Sequence, residues 1–175
     1  MKTYAQFVTD LGVRESSGDY GAVNQFGYLG RYQFGLARLS DLGLCKRRPG
    51  TRGPENGAFT WVSPYSQELF LTSPELQDDC FSVHVGKYRA WVAQRYQSVL
   101  GRTFCKTVID MSAAIGVCHL LGPGGLMYLF QNHDLLDANG THATDYAAKF
   151  SGYWIATNLP TSVTWQPAIK TEGQV

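Results

Sequence analysis

The stretch that most constrains the fold is "TVIDMSAAIGVCHLLG", residues 107 to 122. Its side chains are small and apolar on all sides of a helix, without a polar stripe. A helix that is apolar all round is usually buried, so this stretch predicts a central helix with other helices packed around it. A chain of 175 residues is long enough to enclose such a helix in one domain.

Signals in the rest of the chain predict further helices around this one. Tyr4, Phe7 and Leu11 have helical spacing, and the segment "SSGDYG" after Glu15 breaks the pattern, so a first helix is expected to end at Glu15. The other predicted helices are one with Ser73 as N-cap and Pro74 in its first turn, ending near Gly101; one beginning at Pro123; and one with Thr141 as N-cap, reaching Phe150.

The segment from residue 46 to 66 is rich in Gly and Pro, which favours loops or a short hairpin over a helix. The whole pattern predicts a mainly α, or α+β, single globular domain of five to seven helices with a small loop or hairpin subregion. We expect this domain to cover residues 1 to 156, followed by a polar tail from 157 to 175.

Charge and hydropathy exclude several classes of partner. The chain has 15 Lys and Arg against 14 Asp and Glu, so its net charge favours neither nucleic acid nor a membrane surface. No run approaches the roughly 18 apolar residues that span a bilayer. The start "MKTYAQFVTDLG" lacks the pattern of a secretory signal, so export would need another route, or the chain is an excised piece.

Cysteine and histidine spacing predicts no cofactor and no metal site. The four cysteines are widely spaced without a C-x-x-C pair, which leaves either buried thiols or one or two disulfides. The four histidines show no spacing typical of ligands.

Glu15 is the candidate for chemistry, because it lies at a predicted helix end before a loop rich in Gly and Tyr, "SSGDYGAVNQFGYLGRYQFG". An acid at a helix C-terminus, beside apolar groups, keeps its proton more readily than an exposed one, as a general acid must. The alternative is a surface glutamate at a frayed helix end.

This arrangement resembles the lysozyme-like superfamily, specifically the lytic transglycosylases and goose-type lysozymes that cleave peptidoglycan. Their signature is a Glu-Ser pair closing a helix and, about eighteen residues later, a Gly-x-x-Gln segment. Here Glu15-Ser16 is followed by "GRYQFG", with Gln33 eighteen residues after Glu15. Weaker matches to the phage-associated and secretion-effector branch are Trp61 to Gln77, "AAIGVCHLLGPGG" and Asp137 to Phe150, so the resemblance covers roughly residues 4 to 152.

The resemblance implies a lysozyme-like fold in which Glu15 is the catalytic acid and base. The bond cleaved would be the β-1,4 bond between N-acetylmuramic acid and N-acetylglucosamine. In the loop, the glycine would let backbone approach the glycan, the tyrosines would stack on sugars or simply pack, and Gln33 would bind an N-acetyl group or orient Glu15. The implied substrate-binding residues are Ser16, Tyr28, Gly30, Tyr32, Gln33, His119 and Gly122.

The chain departs from the family on the helix that faces the catalytic glutamate. Many lytic transglycosylases carry Ala-Tyr-Asn-Ala-Gly there, whereas this chain has "VCHLLG" from 117 to 122. The resemblance then implies that His119, or the backbone near Gly122, takes over the sugar contacts. The alternative for His119 is a hydrogen-bonded core histidine.

Several functions remain open at this point. The resemblance slightly favours a transglycosylase, in which Glu15 activates the sugar's own 6-hydroxyl; a hydrolytic muramidase would need a second carboxylate, and Asp19, Glu55 and Asp137 are available. A non-catalytic glycan-binding or phage tail module and an enzyme acting on chitin are also compatible with these residues. The expected partners are peptidoglycan strands in the periplasm or wall, reached by phage or secretion delivery, and an immunity protein for an injected enzyme.

Overall fold

The computed structural model describes residues 1 to 53 and 56 to 167. It is about 47% helical with two small two-stranded sheets, which confirms the predicted mainly α or α+β class. The helices are α1 (Tyr4–Ser16), α2 (Leu36–Asp41), α3 (Gln67–Leu71), α4 (Pro74–Tyr96), α5 (Met111–Phe130) and α6 (Ala143–Phe150), with a 3₁₀ turn at Asn56–Ala58. The strands are β1 (Cys45–Arg47), β2 (Phe59–Trp61), β3 (Thr103–Phe104) and β4 (Thr107–Val108). Six α-helices in the described part of the chain lie within the expected five to seven.

The local start and stop signals predicted most helix bounds. Helix α1 ends one residue after Glu15, and α4 begins at Pro74 but ends at Tyr96, short of Gly101. Within α5, Gly122 has non-helical angles (φ 69°, ψ −178°), so a new helical segment begins at Pro123 as expected. The predicted hairpin is also present, with β1 and β2 antiparallel and Cys45 opposite Trp61.

Two predicted helix starts are wrong. The central helix begins at Met111 rather than Thr107, because residues 103 to 108 form the β3–β4 hairpin and Asp110 is the N-cap of α5. The last helix has His142 rather than Thr141 as its N-cap, and the His142 side chain makes no capping hydrogen bond. The carboxylate of Asp134 accepts from the backbone N–H of Thr144 instead (3.0 Å).

The described residues form two compact units. The α5 unit comprises Met1–Leu11 and His84–Thr161, and the Glu15 unit comprises Gly12–Val83 with the described residues from Ser162 onward. In the Glu15 unit the polar C-terminal segment is tied to α4, because the carboxylate of Asp79 accepts from the backbone N–H groups of Thr164 (2.6 Å) and Trp165 (2.7 Å). The domain and tail boundary at residue 157 stays a prediction, and residues 168 to 175 of that tail lie outside the described ones.

The core of the α5 unit is built from α5, α6 and the start of α1. Phe7 packs edge-on against Phe150 (5.7 Å between ring centroids) and Tyr153 (5.5 Å). Asp110 joins the start of α5 to the chain after α6, accepting from the hydroxyl of Ser151 (2.8 Å) and the backbone N–H of Gly152 (2.7 Å). Residues 112 to 118, the first half of α5, are buried in this core as the sequence predicted.

Helix α5 corrects one expectation from the sequence. By length and composition Met111–Phe130 could cross a membrane, contrary to the prediction that no segment is apolar enough. Half of its most apolar stretch is buried inside the protein. A core helix of a globular protein can be equally long and equally apolar.

Three of the four cysteines match the buried-thiol interpretation of these residues. Cys45 on β1, Cys80 on α4 and Cys118 on α5 are buried, and Cys105 is half-buried. Burial raises the pKa of the Cys45 thiol to about 12, so this group remains a neutral, small apolar side chain near pH 7.

Candidate active site

Glu15 is the penultimate residue of α1 and is half-buried. The helix stops there because Ser17 (φ 59°) and Gly18 (φ 85°) both adopt left-handed angles. The N–H of Ser17 still donates to the carbonyl of Val13 (2.9 Å), which closes the last turn before the chain reverses. The closed turn therefore fixes the backbone at Glu15.

Ser16 connects the end of α1 to the Gly-x-x-Gln segment. Its hydroxyl donates to the carbonyl of Arg31 at 2.9 Å, the shortest of its three contacts to carbonyl oxygens; the others are Asp19 (3.1 Å) and Gly12 (3.4 Å). The two parts of the sequence signature, separated along the chain, are therefore hydrogen-bonded to each other. This contact gives Ser16 a structural role beside Glu15.

The loop between residues 20 and 35 has a defined backbone. Leu29 and Phe34 exchange two backbone hydrogen bonds (3.0 and 2.9 Å), and the N–H of Gly30 donates to the carbonyl of Ala22 (2.7 Å). At the tip, the side-chain oxygen of Asn24 accepts from the N–H groups of Phe26 (2.9 Å) and Tyr28 (3.0 Å). These bonds form consecutive tight turns, which position the loop side chains.

Tyr28 and Gln33 differ in how much of each side chain is available to a ligand. Tyr28 is 45% exposed, and its ring lies against Gly35, where an added Cβ would be 3.1 Å from the ring. The side-chain amide of Gln33 donates to the carbonyl of Gly30 (2.9 Å) within its own turn. Tyr28 thus presents an exposed aromatic ring, while Gln33 is partly engaged in holding the loop.

Tyr32 packs in the core, so the expectation that it stacks on a sugar is wrong. It is 0% exposed, and its ring stacks on Phe81 with 4.0 Å between centroids and 6° between planes. Its hydroxyl donates to the carboxylate of Asp78 (2.6 Å). Burial, and then this hydrogen bond, raise the pKa of the phenol far above its usual range.

Gly30 faces α4 rather than an open groove, which corrects its expected role toward the glycan. It is buried with φ 72°, and a Cβ there would lie 2.1 Å from the side-chain oxygen of Gln77. Glycine is needed at this position because both the left-handed angle and the close approach exclude a side chain.

A charged cluster fixes the loop beside Gly30. The guanidinium of Arg31 donates to the hydroxyl of Tyr20 (2.6 Å), which in turn donates to Asp78 at 2.9 Å from each carboxylate oxygen. Arg31 also lies 4.0 Å from that carboxylate. Helix α1 accommodates the guanidinium at Gly12, where a Cβ would lie 2.4 Å from Nε of Arg31.

His119 and Gly122 belong to the α5 unit. Nδ1 of His119 lies 3.0 Å from Nε2 of the buried His84, with the rings nearly perpendicular (89°). His119 is half-buried, so it has the contact expected of a hydrogen-bonded core histidine. Gly122 forms the break in α5, and the sugar contacts expected from these two residues stay predictions.

The second-carboxylate candidates have local roles where the structure describes them. Asp19 is exposed and accepts from the N–H of Gly21 (2.8 Å). Asp137 accepts from the N–H groups of Asn139 (2.9 Å) and Thr141 (2.7 Å), as expected for a turn residue. Glu55 lies outside the described residues.

Sequence reasoning missed the roles of Gln77 and Asp78. Both lie near the start of α4, where Gln77 is 0% exposed among apolar residues. A single polar residue on the apolar face of a helix is a signal that could have drawn attention to Gln77. Nothing local indicates that Tyr20 and Arg31 are its partners, because both lie far away along the chain.

Among the residues from 1 to 53 and 56 to 167, no three His, Cys, Asp or Glu side chains come together as a metal site. No protein-family model, curated protein or solved structure matches this chain. The family resemblance therefore rests on the Glu15-Ser16 pair, the Gly-x-x-Gln segment and the weaker motifs that follow them.

Proposed function

We propose that this protein cleaves the glycan strands of peptidoglycan, with Glu15 as the general acid and base. The bond broken is the β-1,4 bond between N-acetylmuramic acid and N-acetylglucosamine. The enzyme acts on the wall or in the periplasm as a lytic transglycosylase, with a hydrolytic muramidase as the nearest alternative.

One observation carries the proposal, namely the contact between the two parts of the sequence signature. The Ser16 hydroxyl lies 2.9 Å from the carbonyl of Arg31, so the helix end that bears Glu15 and the Gly-x-x-Gln loop are adjacent in the fold. A coincidental match of two short motifs has no reason to be in contact in space. The spacing and the contact together support a site built from both segments.

The chemistry requires one group that first donates and then accepts a proton. Glu15 donates its proton to the glycosidic oxygen as that bond breaks and positive charge develops at the anomeric carbon. The resulting carboxylate takes a proton from the 6-hydroxyl of the muramyl residue, whose oxygen closes a 1,6-anhydro ring. The half-buried position of Glu15 suits this role, because the carboxyl group must meet the substrate.

Tyr28 is the best-placed residue of the loop for a sugar contact. One part of its ring is covered by Gly35, while 45% of the residue is exposed. Aromatic rings with one free face bind the apolar faces of sugars. Its role is to hold the glycan along the loop rather than to transfer protons.

The test is a digest of purified peptidoglycan with the wild type, Glu15→Gln and Glu75→Gln, with the product masses measured. Glu75 is an exposed glutamate in the first turn of α4 and controls for the substitution itself. The wild type and Glu75→Gln are expected to release muropeptides one water lighter than hydrolysis products, and Glu15→Gln is expected to release none.

The remaining outcomes separate the competing functions. Reducing-end products from the wild type would identify a muramidase and direct attention to Asp19, Glu55 and Asp137 as water-activating groups. If the wild type binds wall fragments but releases nothing, the enzymatic proposal is wrong and the glycan-binding module replaces it. Products from chitin oligomers without a muramyl residue would change the substrate class.

A further inference from the structure

We propose that Gln77 is a positioning residue for the Glu15 site. It does not touch the substrate; its side-chain amide sets the relative position of the segments on either side of the Gly- and Tyr-rich loop. This inference rests on the function proposed above for Glu15, and it adds a residue of α4 to that site.

Three hydrogen bonds join the Gln77 amide to backbone atoms of three segments. Its oxygen accepts from the N–H of Arg31 (2.8 Å), and its nitrogen donates to the carbonyls of Tyr20 (2.9 Å) and Phe70 (2.8 Å). The partners fix the orientation of the amide, because an N–H can face only the oxygen and carbonyls only the nitrogen. Tyr20 and Arg31 lie on either side of the loop tip at Asn24, so one side chain holds both sides of the loop.

Gln77 is tightly packed against the loop at Gly30. The residue is 0% exposed, and at 2.1 Å a Cβ on Gly30 would collide with its oxygen. Buried hydrogen bonds of this kind are costly to break, because each broken bond leaves a desolvated polar group. The amide and the glycine therefore hold the loop against α4.

The link from Gln77 to Glu15 passes through the backbone of one residue, Arg31, and one hydroxyl. Gln77 accepts from the N–H of Arg31, and Ser16 donates to the carbonyl of that same residue (2.9 Å). Ser16 is the residue after Glu15. A displacement of Arg31 would therefore move the helix end that carries the carboxyl group, and small displacements of reacting groups cost large factors in rate.

The chemistry of the amide makes the proposal testable by an isosteric change. In Gln77→Glu, an ionised carboxylate still accepts from Arg31 but cannot donate to the carbonyls of Tyr20 and Phe70. A protonated carboxyl regains one donor, so the loss of kcat relative to the wild type should shrink at acid pH. Gln77→Met keeps a similar volume but can neither donate nor accept a hydrogen bond. The ratio of its kcat to that of the wild type should therefore stay low at acid pH.

The experiment measures kcat and KM for soluble peptidoglycan fragments with Gln77→Glu, Gln77→Met, Ser16→Ala and Gln94→Glu, well below each variant's melting temperature. Gln94 is exposed on the same helix and controls for the added charge. We expect kcat to fall about 10- to 100-fold in both Gln77 variants with a smaller rise in KM, since the loop also carries Tyr28, and Gln94→Glu to match the wild type.

Ser16→Ala keeps the test decisive if the Gln77 variants do not fold. It removes the half-exposed end of the same connection and should lower kcat while the protein stays folded. In the double variant with Ser16→Ala and Gln77→Glu, kcat should fall by less than the product of the two separate fold-losses, because both substitutions act through Arg31.

The outcomes distinguish this inference from the proposed function. If the wild type cleaves, Glu15→Gln does not, and folded Gln77 and Ser16 variants keep the wild-type kcat, the inference is overturned and the function stands. A lowered yield of folded protein with unchanged kcat would equally overturn it in favour of a purely structural role. If Glu15→Gln cleaves as well as the wild type, the proposed function fails and this inference fails with it.

Discussion

The loop between residues 20 and 35 and the helix α5 are held in place by different combinations of contacts. In the Glu15 unit, the loop combines the packing of Tyr32 on Phe81 with hydrogen bonds to Gln77 and Asp78. In the α5 unit, the first half of α5 is buried through apolar side chains, with Gly116 lying against Phe150.

This difference determines how precisely each segment is placed. Hydrogen bonds act between particular atoms at particular angles, so in the loop they fix the backbone in addition to the apolar packing of Leu29 and Tyr32. Apolar packing depends on volume and shape, and it tolerates changes that preserve both. The segment we expect to hold a substrate is therefore the one in which buried hydrogen bonds supplement the packing. The variants below test this contrast, from the largest expected effect to the smallest.

Gly30→Ala is expected to have the largest effect on stability. The new Cβ would lie 2.1 Å from the oxygen of Gln77, and φ is +72°. Left-handed strain and displacement of a buried amide together should lower the free energy of unfolding by about 3 kcal/mol, measured by urea denaturation. Gly43→Ala is the matched control, with φ +89° and open space around it; it should cost about 1 kcal/mol from strain alone. Equal losses would contradict the close contact at Gly30.

Tyr32→Phe should have the next largest effect. It removes the hydroxyl that donates to Asp78 (2.6 Å), which should cost about 1.5 kcal/mol, since hydrogen bonds to charged groups are the stronger ones. Because burial raises the pKa of folded Tyr32 above the ordinary 10.0, this group stabilises the fold fully below pH 10 and loses that contribution as pH rises further. Above pH 10, the free energy of unfolding of the variant should therefore fall less steeply with pH than that of the wild type. Urea denaturation at several pH values measures this difference.

Tyr153→Phe is the matched variant in the α5 unit. Tyr153 also donates to a carboxylate, that of Asp10, and burial also raises its pKa. Lys2 donates to the same hydroxyl and opposes that shift. Above pH 10, the pH dependence of the free energy of unfolding should change less in Tyr153→Phe than in Tyr32→Phe. An equally large change would show that the two hydroxyls stabilise their units in the same way.

Gly116→Ala tests apolar packing in α5 and should have a smaller effect. The added Cβ would lie 3.0 Å from Cβ of Phe150 and 3.3 Å from its ring. Crowding should outweigh the gain in helix propensity and leave a net loss of about 1 kcal/mol by thermal or urea unfolding. Restoration of stability by a smaller residue at position 150 would sharpen this explanation, and an unchanged stability would show that α5 is free to shift.

Gly124→Ala should have the smallest effect and the opposite sign. This glycine is exposed in the second half of α5, and an added Cβ meets nothing within 4 Å. Alanine reduces the freedom of the unfolded chain, so we expect a gain of about 0.5 kcal/mol in the same unfolding measurement. A loss would mean that the break at Gly122 needs the flexibility of Gly124.

The sequence predicted features that depend on local signals. The end of α1 after Glu15, the start of α4 at Pro74 and the break before Pro123 all follow from caps, prolines and glycines within one turn of the boundary. These signals are local because helix ends satisfy their free backbone groups with nearby residues.

The features that were missed depend on distant contacts or unusual turns. The β3–β4 hairpin turns at Cys105 (φ 44°) and Lys106 (φ 66°), neither of which signals a left-handed turn in a sequence. Asp134 caps α6 from ten residues away, and Gln77 meets Arg31 across 46 residues. In the sequence, Tyr28 and Tyr32 are equally good candidates for binding a sugar. Only the structure distinguishes them, because Tyr32 is buried against α4 and Tyr28 is exposed.

The most direct test of the central claim compares Glu15→Gln with the wild type in two assays on the same peptidoglycan, sedimentation for binding and release of soluble fragments for cleavage. Removing the proton donor should lower the cleavage rate about 100-fold or more while binding is unchanged. If cleavage continues at the wild-type rate, Glu15 is not the catalytic acid and the function proposed for this site is wrong.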